Sequence, residues 1–504
     1  MHTHNFNVYD ILKRNARLFK NATALVCAND RITFGEFLKK VQSLSGSLLN
    51  QKVCQGDRIA IIAKNCHNFF MLYGAAAAIG DIIVPINWRL SIEEIQYILQ
   101  DSTPYAIFFD EDYIDIISQI RTECKSLQKF FVFGKSKSDF ISFSEIIGDY
   151  PFQEIEFMGN DPYIIFYTAA IKGQPRGAVL SQENIVFSSI QVISMMGLTS
   201  NNTYLNTLPM FHIGDIVPAF SVMHAGGKNV IISRFDPKAV LQMIEKEQVT
   251  ITSSFPPILS QLINEMSERA YKLSSLKQVF GLLECQNIIT DFERKTSSQF
   301  WLLYGQTETT ALNFLCPNSE KPGSSGRQGP LVDIKIVDEY NRELRIGEKG
   351  EILIRSPLVF QGYWKQDELN KYTFRHGWHH TGDVGYLDEE GYLWFCGRKS
   401  EKELIKSGGE NVYPAEVENI ILTHPDIKEV GVIGVSDKTF GEGIKAICVL
   451  KPNVKLSEQE LTDFVANRIA RYKKPRYVLF VDSLPKKDDG SIDREKLKLI
   501  YGNK

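Results

Sequence analysis

The chain has 504 residues, 43% of them hydrophobic and 23% charged, with a formal net charge of −3. That length exceeds what one core usually supports, so two or more domains are expected. The near-neutral balance removes the global electrostatic reason to expect nucleic acid or an anionic membrane as partner. The opening "MHTHNFNVYDILKRNARLF" has no basic segment leading into an apolar core, so no secretory leader is expected, and the chain reads as cytoplasmic.

In chain order, "RIAIIA" (58–63) reads as a strand and the apolar run "FFMLYGAAAAIG" (69–80) as a buried helix, too short to cross a bilayer. "IIVPIN" is a strand again, and "SIEEIQYILQ" opens a helix with a capping box from Ser91 and Glu94. After residue 160 the strands "PYIIFYT", "TYLNTLP", "KNVIISR", "VTITSSF", "LKQVFGL" and "QFWLLYG" alternate with helical stretches. This alternation implies a layered α/β domain with largely parallel sheets. Ligands in such sheets sit at the carboxyl ends of strands, where "YTAAIKG" and "YGQTE" both fall.

From about residue 325 the pattern turns β-rich, and "GYLDEEGYLWFCGRK" reads as a hairpin. The last hundred residues alternate once more, with a capping box from Ser457 and Glu460. The expected organisation is a large domain over 1–398, a hinge at 399–403 and a small α+β domain over 404–504. Eight scattered cysteines without a CxxC pair are expected to be buried thiols in a reducing compartment. In "HGWHH" (376–380), His379 and His380 would point opposite ways on a strand, which argues against a zinc site.

Polar motifs then occur in a fixed order: "LPMFHIGD" (208–215), "YGQTE" (304–308), "GEKGEILIRSPLVFQGYW" (347–364), "WHHTGD" (378–383), "GRKSEKELIKSGGENVYPAEVE" (397–418) and "LPKKDDGSIDREKLK" (484–498). Over nearly the whole length this set resembles the adenylate-forming superfamily: acyl- and aryl-CoA synthetases, luciferases and peptide-synthetase adenylation domains. The resemblance implies ATP/AMP, Mg²⁺ and CoA as cofactors, with a small carboxylic acid and CoA as partners. It also implies two steps: a carboxylate attacks the α-phosphorus of ATP, and CoA thiol then attacks the acyl-adenylate after the small domain swings about the hinge.

By the same resemblance, Asp383 and Arg398 reach the ribose, and Tyr304, Gly305 and Gln306 meet the base and its surroundings. Glu308 holds Mg²⁺, and Thr307 offers a hydroxyl to the α-phosphate. Thr168, Lys172, Gly173 and Arg176 belong to the phosphate loop, and Gly281 lies beside the adenine. His212 sits by the acyl pocket, Lys402 in the hinge is a catalytic candidate, and Gly408–Gly409 lie where pantetheine passes. Each has a plain alternative. Asp383 after a glycine is a turn residue, Arg398 a surface ion-pair partner, His212 a core histidine, and Glu308 a first-turn helix acid.

Three departures stand out. The family loop reads TSGTTGxPKG, where this chain has "TAAIKGQPRG", losing a glycine and the hydroxyls that face the β- and γ-phosphates. The family's GGA triplet falls on Gly281, Leu282 and Leu283, which would narrow the pocket. Ser491 occupies the place of the lysine that bridges carboxylate and phosphate in adenylation. Losing one such donor typically costs ~10²–10³ in rate. Three readings follow: an acyl-CoA synthetase with weakened adenylation, a ligase confined to thioester formation, or a non-catalytic nucleotide or acyl-CoA binder. The pocket positions near 211–215, 253–256 and 281–283 are read as apolar, suiting fatty or aromatic acids alike.

Overall fold

The computed structural model describes residues 6–136, 139–168, 174–255, 257–282, 284–399, 404–437, 439–487 and 492–502. Lys172, Gly173, Leu283, Lys402 and Ser491 therefore lie outside the described residues. The chain divides into two compact units, one of 1–88, 99–167 and 177–397, the other of 89–98, 168–176 and 398–504.

The first unit carries a nine-stranded and an eight-stranded sheet. In the nine-stranded sheet the run Gln299–Tyr304, Gln278–Gly281, Ile251–Ser254, Thr203–Asn206, Lys228–Ile231 and Thr23–Cys27 is parallel. Antiparallel strands Phe314–Pro317 and Asp30–Thr33 flank it. In the eight-stranded sheet, Arg58–Ile62, Ile82–Pro85 and Ala106–Asp110 pair in parallel as expected. The apolar run forms helix His67–Ile79, buried from Phe69 onward and ended by Gly80 in the left-handed conformation. Each fully buried Phe, Leu or Ile there contributes roughly 1.5–3 kcal/mol. Among the described residues no helix is long and apolar enough to cross a membrane.

Register fixes which side chains face which layer. Tyr204 pairs with Ile251, and Ser253, Phe280 and Trp301 form the next row on the same face. That inner face packs into the large core between the layers, which holds Tyr204, Ile251 and Phe280. Leu205, Val279, Phe300 and Leu302 face outward into a separate core. A four-stranded antiparallel sheet, Asp333–Val337, Gly350–Arg355, His379–Leu387 and Leu393–Arg398, contains the expected hairpin.

In the second unit the long pair Ile427–Asp437 and Gly441–Leu450 is joined by Tyr477–Phe480 in parallel. Helices Pro414–Leu422 and Glu458–Ala466 supply Val417, Ile421, Leu461 and Val465 to its core. Lys473, 3% exposed, places Nζ 2.6 Å from Glu94 and 2.9 Å from Glu416, so this buried charge is doubly paired. Hairpin Ile405–Ser407/Glu410–Val412 turns on Gly408 (φ +60) and Gly409 (φ +85), a two-residue turn with both φ positive.

Two expectations are corrected. Cys124, Cys316 and Cys448 are buried, but Cys54, Cys285 and Cys396 are exposed, because Cys54 lies between turns, Cys285 caps helix Gln286–Thr296 and Cys396 lies on the edge strand Leu393–Arg398. Arg176 is not a loop residue: it begins the strand Arg176–Ser181, whose carboxyl end then caps helix Gln182–Met196 through Ser181.

Candidate active site

The strand Gln299–Tyr304 ends with Tyr304 on its outward face, where the ring is 6% exposed and lies 5.7 Å from that of Phe314. Its hydroxyl donates to Asp383 Oδ2 at 2.8 Å. Gln306 Nε2 donates to the same oxygen at 2.7 Å and to the Thr381 carbonyl at 3.2 Å. His379 Nε2 lies 3.2 Å from Gln306 Oε1, so a chain of polar contacts runs from His379 through Gln306 to Asp383.

Asp383 is a strand residue, not a turn residue, and 2% exposed. Its strand is irregular here: Leu353 pairs with His380 but Glu351 with Val384, leaving three residues opposite Ile352. The bulge is pinned by Thr381 Oγ1 on the Ile352 carbonyl (2.6 Å) and by Gly382 N–H on Glu351 (3.1 Å). Gly382 takes φ +69 within it. Such a bulge re-aims one side chain, here Asp383 toward Tyr304 and Gln306. His379 and His380 part as expected, the latter to Glu351 Oε2 at 3.1 Å.

The turn after Tyr304 is held under strain. Thr310 (φ 52) and Ala311 (φ 66) both take left-handed conformations, roughly 1–2 kcal/mol each for residues with a Cβ. Ala311 N–H on the Gln306 carbonyl (2.9 Å), Thr310 Oγ1 on the Leu358 carbonyl (2.6 Å) and Ser188 Oγ on the Thr310 carbonyl (3.1 Å) hold it. Gly305 is required by this turn itself, since a Cβ there would sit 1.2 Å from the Ala311 carbonyl oxygen. Gly281 is alike, with a Cβ falling 1.9 Å from the Ser254 carbonyl oxygen.

Thr307 and Glu308 lie in the short helix Thr307–Thr309. Glu308 Oε1 accepts from the Tyr363 hydroxyl at 2.8 Å, and its carbonyl accepts from Phe360 N–H at 2.9 Å. Tyr363 stands within the quoted "FQGYW", yet nothing in its residue type announced this contact. His212 is the N-cap of helix Ile213–Ala225, with its ring centroid 4.5 Å from that of Phe211. Thr168 closes its strand, with Oγ1 3.5 Å from the Arg176 carbonyl. Arg398 is the last residue of Leu393–Arg398.

The inner face carries a cluster that the sequence reading passed over. Tyr204 hydroxyl donates to Asp215 Oδ1 at 3.0 Å and lies 2.5 Å from Ser253 Oγ. Asp215 is fully buried in the first turn of Ile213–Ala225. Burial pushes its carboxyl up to about 8, outweighing the Tyr204 hydroxyl and the Leu208 amide, which favour the charged form. The positions expected to be apolar are therefore partly polar, because Asp215 and Ser253 turn inward with Tyr204 rather than toward solvent. The alternation that directs Ser253 inward was available; the pairing that sets its row against Tyr204 was not.

The site's elements match known proteins over nearly the whole chain. The model of the AMP-binding enzyme family matches residues 12–364, and that of the AMP-binding enzyme C-terminal domain matches 416–490. The chain belongs to this adenylate-forming family. It is 30% identical to the indoleacetate–CoA ligase of Aromatoleum aromaticum, over 98% of each protein. It is 32% identical to a 2-succinylbenzoate–CoA ligase of Bacillus licheniformis, over 96% of this chain and 98% of that one. A double mutant of o-succinylbenzoate CoA synthetase from Bacillus subtilis, bound with its product analogue, superposes with a TM-score of 0.87 at 28% identity over 98% of each chain.

Proposed function

We propose that this protein is an AMP-forming carboxylate–CoA ligase that works through an acyl-adenylate, with its adenylation half weakened. The observation that carries the reading is the Tyr304–Gln306–Asp383 cluster, built by a bulge and a strained turn at the carboxyl end of a parallel strand. The residues present fit a nucleotide. Asp383 is oriented by two donors on one oxygen, and a carboxylate so placed is suited to accept ribose hydroxyls. Glu308, oriented by Tyr363, supplies the hard oxygen that Mg²⁺ takes, and the ion when bound would neutralise phosphate charge.

Around that grip the remaining roles follow the family pattern. By that pattern Thr307 and His212 serve the reacting carboxyl and the thiol entry, and Arg398 is assigned to the ribose. Thr168, Lys172, Gly173 and Arg176 receive the phosphates, Gly281 lies by the base, and Gly408–Gly409 flank the pantetheine arm. Similarity to named indoleacetate– and 2-succinylbenzoate–CoA ligases supports a ring-bearing acid as substrate. The weakening rests on "AAIK" in the phosphate loop and on Ser491 at the position of the bridging lysine. The same two features favour a second reading, a ligase confined to thioester formation from acyl-adenylate made elsewhere.

The half-reactions separate these readings. Acid-dependent ATP–pyrophosphate exchange is expected to be slow but measurable, and to rise about 10²-fold in Ser491→Lys. Synthetic phenylacetyl-adenylate with CoA is expected to give thioester at a rate independent of that substitution. Thioester without any exchange supports the second reading. Absence of both contradicts the ligase function.

A further inference from the structure

Glu308 spends one carboxylate oxygen inside the protein and keeps the other. Its Oε1 accepts from the Tyr363 hydroxyl at 2.8 Å, whereas no hydrogen bond or ion pair reaches Oε2 among the described residues. The Tyr363 hydroxyl arrives from a rigid seat. Asn370 brackets its backbone: Tyr363 N–H donates to Asn370 Oδ1 at 2.6 Å, and Asn370 Nδ2 donates to the Tyr363 carbonyl at 2.9 Å. Gly362 fits this clamp, with φ +131 and a Cβ that would fall 2.8 Å from the Asn370 amide. The short strand Gly362–Tyr363 also pairs with Val179 and Ala178.

The Tyr363 ring is 7% exposed and stands edge-on to Phe360, centroids 4.9 Å apart, while Phe360 N–H donates to the Glu308 carbonyl at 2.9 Å. Segment 360–363 therefore holds Glu308 at both its backbone and its side chain. A carboxylate with two available oxygens can grip a cation bidentately, which the long bonds and flexible geometry of Ca²⁺ accept. Mg²⁺ demands near-octahedral geometry at short distance and keeps several waters, so the narrow bite of a bidentate carboxylate suits it poorly. With Oε1 engaged by Tyr363, Glu308 offers a single oxygen.

We infer that Tyr363 is a positioning residue that commits Glu308 to one-oxygen coordination and thereby sets a preference for Mg²⁺ over Ca²⁺. This rests on the ligase reading above and adds the means by which the metal carboxylate discriminates between cations. Tyr363 acts only through Glu308, and Asn370 acts only through Tyr363. Removing the hydroxyl frees Oε1, so the carboxylate can turn and close on a larger ion.

The test uses the whole protein and α,β-methylene-ATP, whose α–β bridge cannot be cleaved, so that it reads the metal site without turnover. Calorimetry compares the affinity of this analogue with Mg²⁺, with Ca²⁺ and with chelator, in wild type and in Tyr363→Phe. In wild type, Mg²⁺ is expected to tighten the analogue about 10-fold more than Ca²⁺ does. In Tyr363→Phe, which keeps the ring against Phe360, the Mg²⁺ gain is expected to fall about 10-fold or more. The Ca²⁺ gain is expected to persist, so that the preference disappears. AMP without metal is expected to bind both proteins alike, which a general loss of structure would not allow. Should the phenylalanine variant fail to fold, the wild-type cation panel decides alone. No Mg²⁺ preference in wild type, or an undiminished one in Tyr363→Phe, overturns the inference while AMP binding leaves the ligase reading intact. AMP binding without any binding of the analogue also overturns it. Binding of neither nucleotide defeats the ligase reading itself, and the inference with it.

Discussion

Two tyrosine–aspartate pairs stand on opposite faces of one sheet, and they are built differently. On the outer face Asp383 takes two side-chain donors on Oδ2, Tyr304 and Gln306, and is aimed by a bulge. On the inner face Asp215 takes one side-chain donor, Tyr204, together with the Leu208 amide, and is fully buried. The first is a polar site whose orientation is held by backbone strain; the second is a carboxyl buried in the core beside Tyr204 and Ser253.

The comparison is broken most severely at Gly305. A Cβ 1.2 Å from the Ala311 carbonyl oxygen cannot be absorbed by a side-chain shift, since the atom it meets is backbone. Gly305→Ala is expected to lose more than about 4 kcal/mol or to fail to fold, the range reserved for strain at special backbone positions. Chemical denaturation measures this, and a loss below 1 kcal/mol would show that the turn is free to rearrange.

The inner pair is sharpened by pH. Asp215 has a folded-state pKa of about 8, above its unfolded value near 4. Its favourable contribution is therefore complete below about pH 4 and drains away as pH rises toward 8. Asp215→Asn, which cannot ionise, is expected to flatten that decline and to gain up to a few kcal/mol on wild type at pH 8 relative to pH 5. Parallel pH–stability curves for the two proteins would contradict it.

The other end of the same helix makes the smallest effect and the opposite sign. His224 is held down to about 4 by burial and by the Arg14 charge, with Nδ1 2.6 Å from Ser189 Oγ. Its folded pKa lies below the unfolded value near 6.5, so the cost appears as pH falls from about 6.5 to 4. It amounts to about 3 kcal/mol at most. His224→Gln is expected to stabilise the protein at pH 4.5 relative to pH 7, read from melting temperatures.

Much of the fold was legible because parallel strands between helices leave long apolar runs of fixed period: each strand from "RIAIIA" to "QFWLLYG" occurs where its residues predict. The capping boxes at Ser91–Glu94 and Ser457–Glu460 also form. The strands Thr23–Cys27 and Lys129–Phe133 escaped, being set between turn and charged residues. In the site, Tyr304, Gln306 and Asp383 were named from their motifs and are in contact. What holds them was not legible. The bulge at Gly382 depends on a partner strand thirty residues away, and the left-handed Thr310–Ala311 pair is made of residues that do not favour that conformation. Asp215 escaped for a related reason, since a carboxylate in a motif is read as exposed until register places it indoors.

The central claim, that Asp383 is the anchor of a nucleotide, is tested most directly by calorimetric titration of AMP into wild type and Asp383→Ala. The account predicts saturable one-to-one binding to wild type, weakened about 10²-fold or more by the substitution, with the fold verified by an unchanged far-UV spectrum. Equal affinity of the two proteins for AMP, or none in either, would contradict it.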